Sequence, residues 1–507
     1  MKKIKKRVFI PALAVVGGAA ILGCIRGDLL SGNLENLFNI SLDKLGWLYQ
    51  IITAITFVLC IILSFSKKGR IRIGGEKAQA HYSFKSWFAM SLTGGIAVGT
   101  ITYGVSLPMI YFKNIFGELD GFGIAAGSEE AAIFALGRII HEWSFFPYSI
   151  AAVSALCIAY MCYNMKKPLS ISSCLIPLLG DKKAGKLATV VDVLAVIALV
   201  LGLSGSLGGG IVLIASGLKL IYGIDTTQTI LIIITMLFAF VFIFSSIRGI
   251  KKGVRVFANI NTYIFYLLLF ILFICGPTLF ILNHTTTAFG YWLQNLPLWT
   301  FDTGILGGET LVKWWTIMTW NFWIVYAPVT GIFLANISYG RTIREFMIVN
   351  FFMPSLFAII WFGVWGGTAI NWQMEGVVDF VPIIQQVGPL SALSAFFNNL
   401  PFTKVMIPLM FGLLILSFAT SADSNIIAVS SLCIKDEGLE NEAPIWVKLT
   451  WGLLCSIIAC TMILFTKEQE GLLAIKYMGS VGGIIVFGVF ILMVISTIKI
   501  FFIDKND

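Results

Sequence analysis

The sequence predicts an all-α polytopic membrane protein of twelve transmembrane helices, and three observations predict it. The 507 residues are 58% hydrophobic and only 12% charged, against about 25% charged in a soluble domain; mean hydropathy is +0.91. Apolar runs of roughly 20 residues recur along the whole length, which is what a helix needs to cross a bilayer. Lys and Arg gather in alternate connecting segments, as cytoplasmic loops do. A β-barrel would instead show short alternating segments.

In order, the spans fall near residues 8–25, 46–65, 86–112, 144–164, 188–217, 228–246, 257–283, 312–338, 346–368, 403–434, 446–466 and 473–501. The first follows a basic start, MKKIKKR. It has the look of a signal peptide, yet LGCIRGD offers no clear small-x-small cleavage site and the run is long enough to span. It is read as a retained helix, with a lipobox at Leu22-Gly23-Cys24 as the lesser alternative. The interval 285–311 reads as an amphipathic surface helix, because Tyr291, Trp292, Leu296, Leu298 and Trp299 suit the membrane interface. The expected divisions are therefore 1–84, two N-terminal helices with a basic loop; 85–284, helices three to seven; 285–311, the surface helix; and 312–507, helices eight to twelve.

With the N-terminus inside, the even helix count puts both termini in the cytoplasm. The net charge of +9 then meets anionic lipid headgroups, not nucleic acid. The short ends leave function to the helical bundle. The nine cysteines form no CxxC pair and the three histidines are scattered, so neither a disulfide framework nor a zinc site is expected. No nucleophile–base pair stands at membrane depth, which argues against an enzyme.

The polar and broken places within the spans carry the functional reading. In the third, SLTGGIAVGTITYG holds Gly94, Gly95 and Gly99; close helix packing and an unwound stretch with free carbonyls both explain it. In the fifth, GLSGSLGGG reads first as helix packing, with Ser204 and Ser206 as spare hydroxyls. In the tenth, FATSADSN sets Thr420, Ser421, Asp423, Ser424 and Asn425 in six positions, costly in a bilayer unless paired or functional. Oxygen donors in a dry site suit a hard cation such as Na⁺. HEWSFFPYSI opens the fourth, where Trp143 and Tyr148 fit an interfacial belt. In the eighth, Trp314 and Trp315 fit a belt, Trp320 and Trp323 share one helical face one to two turns deeper with Phe322 and Tyr326 on the next, and Pro328 is expected to break the helix beside them. Aromatic faces attract a cation, by about 2 kcal/mol or more when desolvated, and a quaternary ammonium is the natural ligand.

These segments resemble the BCCT family, the betaine/choline/carnitine transporters. ISYGRTIREF at 337–346 is nearly the family's complete and specific pattern, FATSADSN looks like its T-S-A-D-S segment, and the similarity runs in order along essentially the whole chain. The resemblance implies a LeuT-like core in which helices three to seven and eight to twelve are inverted repeats. It also implies a homotrimer in a bacterial plasma membrane, and carriage of a quaternary-ammonium compound by Na⁺ symport, H⁺ symport or exchange. The family's helix-four pattern W-x4-W-x2-Y reads Trp143, Tyr148 and Ala151, so one aromatic is kept, one changed and one lost. Trp320 and Trp323 are kept in helix eight, while Phe322 and Tyr326 replace tryptophans. Tyr103 stands where the family has a box tryptophan. The implied cation box is Trp143, Tyr148 and Trp323 with Tyr103, Trp320 and Tyr326 about it, and Ala151 leaves room for a larger substrate. The implied Na⁺ ligands are the Thr420 and Ser421 hydroxyls and the Thr93 and Ile96 carbonyls.

Overall fold

The computed structural model describes residues 4–94, 97–249, 255–305, 308–435, 443–464 and 468–504. Its helices are α1 (Lys6–Ile25), α2 (Gly27–Phe65), α3 (Phe84–Gly94), α4 (Ala97–Lys113), α5 (Glu129–Trp143), α6 (Phe145–Ala159), α7 (Ile176–Tyr222), α8 (Gln228–Gly249), α9 (Arg255–Cys275), α10 (Thr278–Thr300), α11 (Glu309–Leu311), α12 (Met318–Ile337), α13 (Ile343–Met347), α14 (Met353–Met374), α15 (Phe380–Val387), α16 (Ser391–Asn398), α17 (Thr403–Leu432), α18 (Ile445–Leu464) and α19 (Glu468–Ile498). Among the described residues, extended pairing is limited to two isolated bridges, Ile4 with Ile434 and Arg72 with Thr342. The all-α polytopic class is therefore as expected. Ten segments among the described residues are long and apolar enough to cross a membrane. The third expected span is present as α3 and α4, either side of residues 95–96, and the sixth as α8.

Several boundaries move, each for a local reason. The second helix starts at Gly27, well before the expected 46. Leu34, Phe38 and Leu42 are buried at four-residue spacing, so one face of this polar stretch still packs. The fourth span begins at Glu129, not near 144, and is capped by the Ser128 side chain. It breaks at Ser144 (φ −109°, ψ −112°) and resumes as α6. The seventh span ends at Cys275 because Gly276 and Pro277 follow, and the surface helix then covers Thr278–Thr300, not 285–311. In it Trp292 and Trp299 are buried, whereas Leu298 is exposed. The first helix packs into the bundle through Val8, Ala12, Val16 and Ala20.

The ISYGRTIREF segment has a structural task. Ile73 N–H donates to the Arg341 carbonyl at 2.9 Å, Gly340 N–H to Ile73 at 2.9 Å and Ile343 N–H to Ile71 at 2.9 Å. Arg344 closes the C-terminal end of α2, donating to the Ser64 carbonyl at 2.8 Å and to Ser66 at 3.1 Å. Gly340 sits at φ +79°, and a Cβ there would lie 2.4 Å from the Gln79 carbonyl carbon. Only glycine fits.

Candidate functional site

Because the fourth span starts fifteen residues earlier than expected, Trp143 lies at its mid-length break and not at an interface. A cavity of about 110 Å³ opens there, between α4, α5, α7, α12 and α17. A single water needs roughly 10–15 Å³ on this measure, so the space admits a small organic solute. Aromatic rings form much of its wall: Tyr103 from α4, Trp143 from α5, and Trp315, Phe322, Trp323 and Tyr326 from the eighth span. The Tyr103 and Trp143 rings lie 5.4 Å apart, centroid to centroid. Trp315 sits in a π-helical turn, Val312–Ile317, which re-aims side chains just before α12. Among the described residues that line this cavity none is Asp, Glu, Lys, Arg or His. Its polar side chains include the hydroxyl-bearing Thr102, Ser206, Thr319 and Ser421.

The sequence-derived residues do not all meet. Tyr103, Trp143, Trp323, Tyr326, Gly99 and Ser421 line the main cavity. Tyr148 sits behind it, its ring 4.9 Å from Trp323 in an edge-to-face pair. It faces a second space of about 20 Å³ with Ala151, Thr330 and Asn350. The room expected from Ala151 is therefore small and lies on the far side of Trp323 and Tyr326, which border both spaces. Trp320 is fully buried and stays out of both, packed on His141 (5.4 Å) and Phe146 (5.2 Å).

The helix does not break at Pro328: α12 runs unbroken from Met318 to Ile337. The surrounding helices hold it through the lost backbone hydrogen bond. Gly99 is likewise inside α4, and Gly94 is the last residue of α3. Gly95 and Ile96 lie outside the described residues.

Thr420 is buried on α17 and its Oγ1 donates to the Leu416 carbonyl at 2.7 Å. Thr93 does the same on α3, donating to Ala89 at 2.7 Å. A hydroxyl that donates backwards presents lone pairs outwards, the form a cation can use. Asn425 Nδ2 donates to the Ser421 carbonyl at 2.8 Å, and Thr330 Oγ1 to Asn425 Oδ1 at 3.0 Å, so the polar run is also braced to α12. Among the described residues no group of three or more His, Cys, Asp or Glu is placed to hold a metal.

Sequence reasoning missed Thr102, Gly209, Trp315 and the Pro389–Leu390 pair, all of which line the cavity. Trp315, expected in the interfacial belt, lines the cavity instead. Its Nε1 donates at 3.1 Å to Glu118 Oε1, a buried carboxylate in the loop after α4. Glu118 Oε2 accepts from Phe116 N–H at 2.9 Å. Burial, with the Asp120 charge adding to it, pushes this carboxyl up from 4.5 to about 7.

Comparison with known proteins fits this arrangement. Residues 7–506 match the betaine/carnitine/choline family of transporters. A glycine betaine transporter of Vibrio parahaemolyticus is 32% identical over 83% of this chain and 79% of its own length. A glycine betaine transporter of Bacillus subtilis is 31% identical, over 91% and 88%. An ectoine/hydroxyectoine transporter of Virgibacillus pantothenticus is 31% identical, over 90% and 89%. Spans of apolar helix, an uncharged aromatic cavity among them and a family match over nearly the whole length converge: this chain is a multi-pass membrane transporter, not an enzyme, and belongs to the betaine/carnitine/choline transporter family.

Proposed function

We propose that the protein is a secondary active transporter that moves a quaternary-ammonium compound, such as glycine betaine, choline or carnitine, across a bacterial plasma membrane by alternating access coupled to Na⁺. The observation that carries this reading is the cavity itself, walled by Tyr103, Trp143, Phe322 and Trp323 with no charged side chain among its described lining. A permanent cation that cannot donate hydrogen bonds is attracted by π faces once it has shed its water. Two of the relatives are named for glycine betaine. The Thr420 and Ser421 hydroxyls, with the Thr93 and Ile96 carbonyls, are the proposed ligands of a Na⁺ site. The proposed frame has both termini cytoplasmic, a core of inverted repeats over 85–284 and 312–507, and a homotrimer in contact with anionic lipid.

A second reading is kept because Tyr148 and Ala151 depart from the family's aromatic pattern and one relative is named for ectoine. It is a Na⁺-independent exchanger, or a carrier of another zwitterion on the same fold. Uptake of labelled glycine betaine into proteoliposomes separates these readings. Measurements with and without an inward Na⁺ gradient, and with unlabelled betaine, choline, carnitine or γ-butyrobetaine inside, give three distinct outcomes. Uptake that follows the Na⁺ gradient supports symport. Uptake indifferent to Na⁺ that needs substrate inside makes the protein an exchanger. No uptake and no competition by any quaternary ammonium overturns the substrate class.

A further inference from the structure

The wall of the cavity that α7 supplies is built differently from the aromatic side. It presents Leu203, Gly205, Ser206, Gly209 and Gly210, with positions 202, 206 and 209–210 along one helical face. Glycine inside a helix is explained either by a neighbour that comes too close for a Cβ or by a need for space. A Cβ on Gly202 would lie 2.6 Å from Val325 Cγ1, and one on Gly217 would lie 2.9 Å from Ser394 Oγ. These two are contact glycines. One on Gly210 would meet the Phe238 ring at 3.4 Å, an ordinary van der Waals contact. A Cβ on Gly209 would meet nothing within 4 Å. Gly209 and Ser206 are half-buried, while Leu207, Gly208 and Gly210 are buried. Helix packing thus accounts for Gly202 and Gly217, lets a Cβ at Gly210 just touch Phe238, and gives no reason for Gly209.

Ser206 has a defined polarity. Tyr326 Oη donates to the Gly202 carbonyl at 2.7 Å, and that carbonyl can only accept. A tyrosine has one proton, so the 2.5 Å contact between Ser206 Oγ and Tyr326 Oη uses the serine's proton. Ser206 Oγ keeps its lone pairs, and it faces the cavity as an acceptor.

We propose that Gly209 and Ser206 select the tail of the substrate. The inference rests on the quaternary-ammonium reading above. With the ammonium against the rings, its fourth substituent lies along α7. The missing side chain at Gly209 sets how long and bulky that substituent is allowed to be, and Ser206 accepts a hydrogen bond from a hydroxyl on it. The favoured class is a trimethylammonium compound whose tail carries an alcohol.

The test is binding to the purified full-length protein, followed by quenching of its tryptophan fluorescence. The probes are tetramethylammonium, propyltrimethylammonium and choline, the last two differing in a terminal methyl against a hydroxyl. In Gly209→Leu the affinity for propyltrimethylammonium relative to tetramethylammonium should fall about tenfold, since one methylene in a fitted pocket is worth roughly that factor or more. Gly209→Ala should show a smaller shift in the same direction, and alanine is the better helix former, so misfolding does not account for it. In Ser206→Ala the preference for choline over propyltrimethylammonium should fall to about one. Equal losses for all three ions, or unchanged ratios, overturn the assignment of α7 while leaving the quaternary-ammonium reading intact. If the unmodified protein binds none of the three, the assignment of α7 falls, and if it binds no glycine betaine either, the quaternary-ammonium reading falls with it.

Discussion

Two polar regions lie side by side in this bundle, and they are built on opposite plans. The cavity has no charged side chain in its described lining. On the same helix, Arg138 precedes Trp143 by five residues, about 7.5 Å along the axis, and belongs to a fully buried charged cluster. Its Nη2 donates to Thr316 Oγ1 at 3.0 Å, Thr316 donates to Glu142 Oε1 at 2.7 Å, and Tyr111 Oη donates to Glu142 Oε2 at 2.7 Å. The guanidinium also stands 4.9 Å from the Trp299 ring. The cluster ties α4, α5, α10 and the start of the eighth span together. The contrast has a physical reason. Charges at this depth persist when their partners are permanent. A site that exchanges its occupant would leave a charge unpaired at each release, whereas a π face attracts a cation and costs little when empty.

The sharpest way to break the comparison is Arg138→Ala. It deprives Glu142 of its neighbouring cation, and removing one partner from a buried charged set costs about 3–5 kcal/mol. The folded, detergent-extracted protein should be lost or melt far lower; an unchanged midpoint would show that the cluster holds nothing together.

On the cavity side, Trp323→Ala should abolish saturable uptake while the amount at the membrane stays normal. A desolvated cation–π contact of about 2 kcal/mol corresponds to roughly thirtyfold in affinity. Normal uptake in that variant would remove the aromatic box. Trp320 tests where the boundary runs. It packs on His141 and Phe146 outside the cavity, so Trp320→Phe should lower stability by about 0.5–3 kcal/mol and raise the apparent KM less than Trp323→Phe does. The reverse order would place Trp320 at the substrate.

The smallest effect is one of pH. Glu118 has its carboxyl raised to about 7 in the fold, from 4.5. Between these values the folded protein keeps a proton that the unfolded chain has lost, so stability falls as pH rises through this window. The melting midpoint should drop by a few degrees from pH 5 to pH 8, and by less in Glu118→Gln. A midpoint that rises over that range would contradict the burial of this carboxylate.

Much of this was legible in the sequence. Composition and the length of the apolar runs determined a polytopic helical bundle, because a bilayer leaves a backbone few other ways to satisfy its hydrogen bonds. The aromatic crowding at 320–326 and the ISYGRTIREF segment pointed to the right helix. What misled was charge. Arg138, His141 and Glu142 interrupt the apolar pattern just before 144, where the span was expected to start, and that start placed Trp143 at an interface. Hydropathy counts a charge as exposed; only the folded arrangement supplies Thr316, Tyr111 and Trp299 from distant segments to receive it.

The same limit applies at single residues. Spacing put Trp320 and Trp323 on one face, yet only the neighbouring helices decided that Trp323 borders a cavity and Trp320 a packed core. Spacing also gave α7 a run of glycines without telling contact from room. That depends on whether Val325, Phe238 or nothing stands opposite each Cα, a distance that belongs to no single segment.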